Sequence, residues 1–380
     1  MEQAVIIDAV RSPIGRARKG RLVNERPDEI GGYIIDALMK RAPQVDRATI
    51  EDVLAGCGVP EGEQGYNLGR ILALTGGLGV TVPGTTVSRY CASSLQSVRM
   101  AAHAIWSGEG HVFVAAGVEF VSRYPQMADH RNPRFLADGT PAIYISMGLT
   151  AENVARQYGI SRQDQDAYAK RSQDLTRQSR ESGFWSREII PVPLSDGTLM
   201  EEDDGPRPNT TLEGLAQLPP AFKEGGTVTA GNSCPLNDGA AAALIMSETR
   251  ARQLGLKPRA RIVATAVTAL DPGIMGVGPI EAIRQVLRRA GMTLDDIDII
   301  ELNEAFAAQV LAVQREVGIP LEKLNPFGGS IAVGHPYGMT GTRILCTLLN
   351  GLETLDARMG LETMCVGGGQ GMAMIVERLN

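Results

Sequence analysis

The sequence predicts an α/β protein made of two similar halves, with a more polar segment inserted into the first. Three observations lead there. Short apolar strands alternate with amphipathic helices towards both ends of the 380-residue chain, the pattern of an α/β fold. The middle, from about 121 to 237, is more polar and richer in turns. Related segments also recur at a nearly constant separation. Asp52-Val53-Leu54 and Asp298-Ile299-Ile300 lie 246 residues apart (298 − 52), and Cys91 and His335 lie 244 apart (335 − 91). Val114-Ala115-Ala116-Gly117 and Cys365-Val366-Gly367-Gly368 lie about 250 apart. A repeat of that length is a duplicated, domain-sized unit; chance similarity between two α/β segments is the competing explanation. The expected division is 1–120 for the first half, completed by about 238–257, then 121–237 for the insertion and 258–380 for the second half.

Each element follows from local pattern. Residues 5–9, 53–55, 85–87 and 112–116 are apolar and read as strands. Residues 26–41 read as a helix. Pro27 suits its first turn, Asp28 and Glu29 suit the positive end of its dipole, and Ile30, Ile34 and Leu38 share one face. After Cys91, the residues Leu95, Val98, Ala102 and Ile105 recur at helical spacing, so a helix begins near Cys91. In the middle, Ser161 caps a charged helix that runs to Gln178, and 194–220 reads as irregular because of its Asp-Gly-Pro and Pro-Pro turns. Residues 261–267 and 297–302 are strands again. Residues 279–289 form a helix that opens on Pro279 and closes at Gly291. Phe306, Val310, Val313 and Val317 mark a further helix closed by Gly318, and 372–376 is a terminal strand.

Composition narrows the function. Hydrophobic residues make up 43% and charged residues 21%, as in ordinary globular proteins. The net charge of −6 disfavours nucleic acid or an anionic membrane as the main partner. No apolar run approaches the roughly 18 residues of a spanning helix, and no basic stretch leads an apolar one as in a signal peptide. An odd count of five cysteines, without a CxxC pair, argues for free thiols in a reducing cytoplasm. The four histidines show no metal-ligand spacing, so no metal site is expected.

Four segments carry residues suited to chemistry. Cys91 stands where a strand turns into a helix, and a thiol there meets unpaired N–H groups and the positive dipole end. Both favour the nucleophilic thiolate. A small buried cysteine is the plainer reading. His335 lies in Gly328-Gly329-Ser330-Ile331-Ala332-Val333-Gly334-His335-Pro336-Tyr337-Gly338 and is placed to take a proton from Cys91; it also reads as part of a structural glycine-rich turn. Cys365 precedes Gly367-Gly368-Gly369, whose N–H groups suit an oxyanion hole. Asn303 and Glu304 sit at a strand-to-helix junction. There Asn303 is suited to donate to a substrate oxygen, directly or through water, and the pair reads equally as an N-cap with an acidic first turn.

Taken together, these segments resemble the thiolase superfamily over essentially the whole chain. Arg11-Ser12-Pro13-Ile14-Gly15 resembles its RTPxG segment, and the Cys91 segment resembles its nucleophile motif. Met147-Gly148-Leu149-Thr150-Ala151-Glu152-Asn153-Val154-Ala155 is similar to MGxTAENVA, and Ser161 to Asp166 to SRxxQD. The residues from Gly226 to Asn232 and from Asn237 to Ala240 match GTVTAGN and NDGA. Asn303 to Ala307 (NEAFA), Gly334 to Gly338 (GHPxG) and Cys365 to Gly371 (CxGGGxG) complete the order.

The resemblance implies a thiolase fold: two duplicated βαβαβαββ halves and an inserted, CoA-binding loop domain. It implies reversible CoA-dependent thiolysis of 3-ketoacyl-CoA through an acyl-cysteine. Cys91 would be the nucleophile, His335 its base and Cys365 the acid/base at the α-carbon. Asn303, through a water, and His335 would form one oxyanion hole; the N–H groups of Cys91 and Gly367 would form the other. CoA is then a substrate, and no tightly bound cofactor is implied. Partners are CoA thioesters and further copies of the chain, as a homodimer or homotetramer.

The sequence also departs from the family. Ser88 stands where Asn is common and Ser94 where Gly is common. The CoA loop reads Asn232-Ser233-Cys234-Pro235 rather than NASG, so Cys234 replaces a CoA-contacting serine. Ser233, Cys234, Met147 and Arg207 are the candidates for CoA contact. Ser146 stands where acetoacetyl-CoA-forming members often have histidine, and the segment 124–143 is short. These two features favour degradative thiolysis over acetoacetyl-CoA synthesis. The alternatives are a biosynthetic acetyl-CoA acetyltransferase and a non-catalytic CoA-binding subunit. A ketosynthase would place histidine where Asn303 stands, and a papain-like hydrolase would need a different motif and order.

Overall fold

The computed structural model describes residues 2–125 and 130–380. Part of the short segment 124–143 therefore lies outside the described residues. The first half contains β1 (Ala4–Arg11), β2 (Gly15–Arg16), α1 (Pro27–Arg41), β3 (Asp52–Gly56), α2 (Leu68–Thr75), β4 (Gly84–Val87), α3 (Ser93–Ser107) and β5 (Val112–Phe120). The middle supplies α4 (Met147–Gln157), α5 (Arg162–Glu181), a small pair β6 (Val192–Pro193) and β7 (Leu199–Met200), and α6 (Leu212–Ala216). The chain then returns to the first half with β8 (Asn237–Ser247) and α7 (Glu248–Gln253). The second half runs β9 (Ala260–Ala269), α8 (Gly278–Ala290), β10 (Ile299–Leu302), α9 (Ala307–Val317), α10 (Ser330–Val333), α11 (Thr340–Thr354), β11 (Met359–Val366) and β12 (Gln370–Arg378).

The expected elements are present, and the segment from 194 to 220 is less irregular than its turns suggested. Its hairpin is closed by Leu194 and Thr198, and Thr211 caps α6 by accepting from the Gly214 N–H. Ser161 caps α5 through the Asp164 N–H, as expected.

The topology is that of a duplication. One sheet runs β10-β11-β12-β9-β1-β8-β5-β3-β4, with β2 on β8. In the first half β3 is parallel to β4 and β5, and β8 is antiparallel to β5 and β1. In the second, β10 is parallel to β11 and meets Leu324 in a parallel bridge, and β12 is antiparallel to β11 and β9. The strands β3 and β10 start at 52 and 299, β5 and β11 at 112 and 359, and α3 and α11 at 93 and 340. The separation is 247 in each case. Sheet register corrects the sequence matches, and Asp52 corresponds to Ile299, one residue beyond Asp298. Val114 pairs with Val53 and Leu361 with Ile300, so Leu361, not Cys365, is the counterpart of Val114.

The halves join where β1 pairs with β9. On one face of the sheet, Leu95, Val98, Ala102 and Ile105 of α3 pack with Ile344, Leu345, Leu348 and Leu352 of α11. Alternate residues of β1 serve the two faces: Ala4 and Ile6 meet the α3–α11 layer, while Val5 and Ile7 meet α1 and α2. The approach of α3 and α11 depends on Gly341, where a Cβ would lie 2.3 Å from the Leu95 backbone nitrogen. This contact brings together the loops that precede the two helices, and those loops hold Cys91 and His335. Among the described residues, no helix is long and apolar enough to cross a membrane.

Candidate active site

Cys91 lies in a tight turn between β4 and α3. A 3₁₀ turn, Tyr90–Ala92, precedes the helix, and Tyr90 is held at φ +43°. For a side chain larger than glycine this left-handed geometry carries strain. Ser93 clamps the turn: its hydroxyl accepts from the Arg89 N–H at 2.9 Å and donates to the Tyr90 carbonyl at 2.7 Å. The turn packs on β11, whose end carries Cys365 and leads to Gly367.

His335 is buried in the loop between α10 and α11. The Asn237 side chain accepts from its backbone N–H at 2.9 Å, and the Glu119 carboxylate accepts from the Gly338 N–H at 2.7 Å. The ring tautomer can be read from its partners. Thr340 Oγ1 donates to the Pro336 carbonyl at 2.7 Å and lies 2.6 Å from His335 Nδ1. A hydroxyl has one proton, so Thr340 must accept from Nδ1–H. Nε2 is then the free base, 3.3 Å from Asn303 Nδ2. Burial, reinforced by the charge of Arg343, lowers the imidazole pKa to about 3.

Asn303 follows β10, and its Oδ1 accepts from Ser330 at 2.6 Å. The structure overturns the N-cap reading of Asn303 and Glu304. The cap of α9 is Phe306, which makes no side-chain bond. Glu304 is instead a buried hub that accepts from Tyr168, Ser172, Asn325 and the Ile331 N–H.

Cys365 is fully buried among Ala151, Val228, Met275, Ala305 and Phe306, with Met147 and Cys234 packed against the group. Burial pushes Cys365 well up, and the neighbouring Cys91 and Cys234 add to it. Burial also raises Cys91, to about 12, although the N–H groups of Gly367 and of Cys91 itself pull it down. This corrects the expectation of a resting thiolate. Cys91 is only partly buried, yet that burial outweighs the pull of the two N–H groups and favours the thiol at rest.

The candidates for CoA contact fall into two places. Met147 and Cys234 lie with Cys365, and the Met147 sulfur would be 3.7 Å from a Cβ at Gly367. Arg207 and Ser233 line a separate cleft with Arg16, Gln173 and Thr210, and Arg207 also lines an adjoining cavity of about 360 Å³ with Thr211 and Leu218. Ser233 is committed within the protein, donating to the Thr229 carbonyl at 2.7 Å. Burial, and then the neighbouring Arg16, lower the pKa of Arg207. Arg16 follows directly on the Arg11–Gly15 motif, which does not include it.

The profile of the thiolase N-terminal domain matches residues 4–249 and that of the thiolase C-terminal domain matches residues 256–378. The chain belongs to the thiolase family. The 3-ketoacyl-CoA thiolase of Bacillus subtilis (strain 168) is 43% identical over 390 residues, covering 99% of this chain and 100% of that protein. The beta-ketoadipyl-CoA thiolase of Acinetobacter baylyi is 44% identical over 402 residues and covered in full by both chains. The crystal structure of the Bacillus anthracis acetyl-CoA acetyltransferase matches with a TM-score of 0.92 at 39% identity, covering 100% of this chain and 99% of that one. This chain has the thiolase fold and is an acyltransferase with thiolase activity.

For this thiolase, the supporting groups Glu119, Thr340, Ser330 and Arg343 were not singled out from sequence. Asn237 was visible within the NDGA segment, without its role. The depressed His335 pKa has a measurable sign. In the unfolded chain the group titrates near 6.5, and in the folded chain at about 3. Below pH 6.5 the unfolded chain binds a proton that the folded chain refuses, so this contribution to stability falls as pH drops towards 3. The slope is at most about 1.4 kcal/mol per pH unit. Denaturant titrations of wild type and His335→Gln should therefore run parallel above pH 7 and converge or cross between 6.5 and 5. Curves parallel throughout would contradict a buried neutral imidazole.

Proposed function

We propose that this thiolase is a degradative enzyme that cleaves 3-ketoacyl-CoA with CoA, and that Cys91, His335, Cys365, Asn303 and Gly367 carry the reaction. One observation carries the reading: the Cys91 sulfur lies against the N–H groups of Gly367 and Cys91, beside a second buried thiol, Cys365. The Cys91 proton passes to His335 Nε2 as sulfur attacks the 3-keto carbon. The bond between that carbon and the α-carbon breaks, leaving an acyl-cysteine and the enolate of acetyl-CoA. Cys365 gives the enolate carbon its proton. The CoA thiol then attacks the acyl-cysteine, its proton goes to Cys365, and the His335 proton returns to Cys91.

A neutral thiol suits this cycle, partly buried at Cys91 and fully buried at Cys365, because it stays neutral until a base or an enolate faces it. The Asn303 amide, through a water, and protonated His335 donate to one oxyanion. The N–H groups of Cys91 and Gly367 donate to the other. The thioester carbonyl delocalises the carbanion, so no electron-sink cofactor is required. Arg207 and Arg16, side by side on the cleft, suit the phosphates of CoA.

A preference for longer acyl chains is supported by the small, exposed Ser146, where a histidine would be bulkier, and by the residues that border Gly368. Ser146 is small, and Tyr144 is turned to the Asn132 N–H and 42% exposed, so it does not fill the space. Ile143 and Tyr90 approach Gly368 instead. Extra methylenes buried there stabilise binding by about 0.8 kcal/mol each. Thiolysis of C6 to C10 3-ketoacyl-CoA esters should exceed that of acetoacetyl-CoA in kcat/KM. A steady fall above four carbons would return the chain to the acetyl-CoA acetyltransferases.

The protein is also a homo-oligomer of at least two copies, working in the reducing cytoplasm, where its five free cysteines suit the redox poise. Among the described residues, the strand β4 has a sheet neighbour on one side only, and Tyr66 and Val80, 96% and 80% exposed, flank it. An unpaired edge beside apolar side chains is a surface for a second chain. Light scattering at micromolar concentration should give at least a dimer; a stable, active monomer would refute it.

A further inference from the structure

We infer that Arg343 is a positioning residue that sets the direction of the hydrogen-bond chain behind Asn303, and so decides which end of the amide faces His335. The chain runs through four buried side chains. Arg343 Nη2 donates to Ser330 Oγ at 2.6 Å, Ser330 Oγ reaches Asn303 Oδ1 at 2.6 Å, and Asn303 Nδ2 lies 3.3 Å from His335 Nε2. All four residues are 0–1% exposed.

A guanidinium can only donate, so Ser330 must accept from it and spend its single proton on Asn303. The amide must then offer its oxygen to Ser330 and its NH₂ to His335. At the far end, the Pro336 carbonyl can only accept, so Thr340 donates to it and accepts from His335 Nδ1. The two ends agree: both leave Nε2 unprotonated, facing a donor. A hydroxyl and an amide alone lack this certainty. With the amide turned over, its oxygen would face His335, favour a proton on Nε2, and present a negative end to any oxyanion held there.

Arg343 is fully buried, and burial lowers its pKa while Glu301, Glu188 and Glu304 offset part of that loss. Glu301 and Glu362 sit opposite each other on β10 and β11, and Arg343 pulls both of their raised pKa values back down. Among the described residues its Nε and Nη1 have no hydrogen-bond partner, so the bond to Ser330 is the directional one.

The inference rests on the roles proposed for Asn303 and His335, and its test separates the two. The chain has four histidines, so [15N]histidine-labelled protein gives a readable NMR spectrum without substrate. Wild type should show His335 Nε2 as an unprotonated ring nitrogen. Arg343→Lys, still donor-only, should keep that state. Arg343→Gln, which accepts as well as donates, should let the amide turn and move Nε2 towards the protonated range, with the Thr340 hydroxyl rotating its proton from the Pro336 carbonyl to Nδ1. Ser330→Ala, which leaves the buried charges in place, should do the same and serves if Arg343→Gln fails to fold. In thiolysis, Arg343→Gln and Ser330→Ala should lower kcat by about 10²–10³-fold, the cost of one oxyanion donor, with KM changed only a few-fold. A wild-type Nε2 resonance in Ser330→Ala overturns the inference, whether or not turnover falls. A wild-type enzyme without thiolysis, together with the expected resonance shifts, would defeat the catalytic reading and leave the positioning chain intact.

Discussion

Brief exposure to acetyl-CoA should add one acetyl group to the protein, and a peptide map should place it on Cys91. Cys91→Ala should lose the adduct and lower turnover by on the order of 10⁴-fold or more, the scale of removing a covalent nucleophile. The expectation is sharp because three thiols share the pocket. Cys365 is fully buried at the end of β11, and Cys234 is tied by its backbone N–H to the Ala305 carbonyl. Only Cys91 occupies a strained strand-to-helix turn with two N–H groups directed at its sulfur. An adduct that persists in Cys91→Ser at the same stoichiometry, carried by Cys234 or Cys365, would overturn the assignment.

The second large effect divides the reaction. Cys365→Ala should still form the acyl-enzyme but stop exchange of the α-protons of acetyl-CoA with solvent, a loss of about 10²–10⁴-fold typical of an acid/base group. His335→Ala should impair both steps, because it removes the base for Cys91 and a donor for the oxyanion; the donor alone accounts for about 10²–10³. Mass spectrometry reads the first step and deuterium exchange the second. Near-normal exchange in Cys365→Ala would show that another group handles the α-proton. Full acyl-enzyme formation in His335→Ala would show that Cys91 has a different base.

Much of this was legible in sequence because it rests on local rules. The helix expected over 26–41 follows from its proline, its acidic first turn and its apolar spacing, and the structure has it over Pro27–Arg41. The same holds for Ser161 as a cap and for the glycines that close α8 and α9. Two readings failed where a distant element decided the outcome. Glu304 looked like part of a helix cap until α5 and α10 brought Tyr168, Ser172 and the Ile331 N–H onto its carboxylate. Cys91 looked like a thiolate until packing against β11 partly buried it and raised its pKa.

By itself the sequence determined the duplicated α/β architecture and the family, and it named candidate residues for the site. Periodicity, caps and short motifs are properties of neighbouring residues, so they survive without coordinates. Only the tertiary structure decided protonation and hydrogen-bond direction. His335 is neutral with a free Nε2 because Thr340 is committed to Pro336, and Asn303 turns its NH₂ to that nitrogen because Arg343 can only donate. A proton's position depends on every donor and acceptor within reach and on how much water remains. Here those partners come from β10, α10, α11 and β11, brought together by the packing of the core.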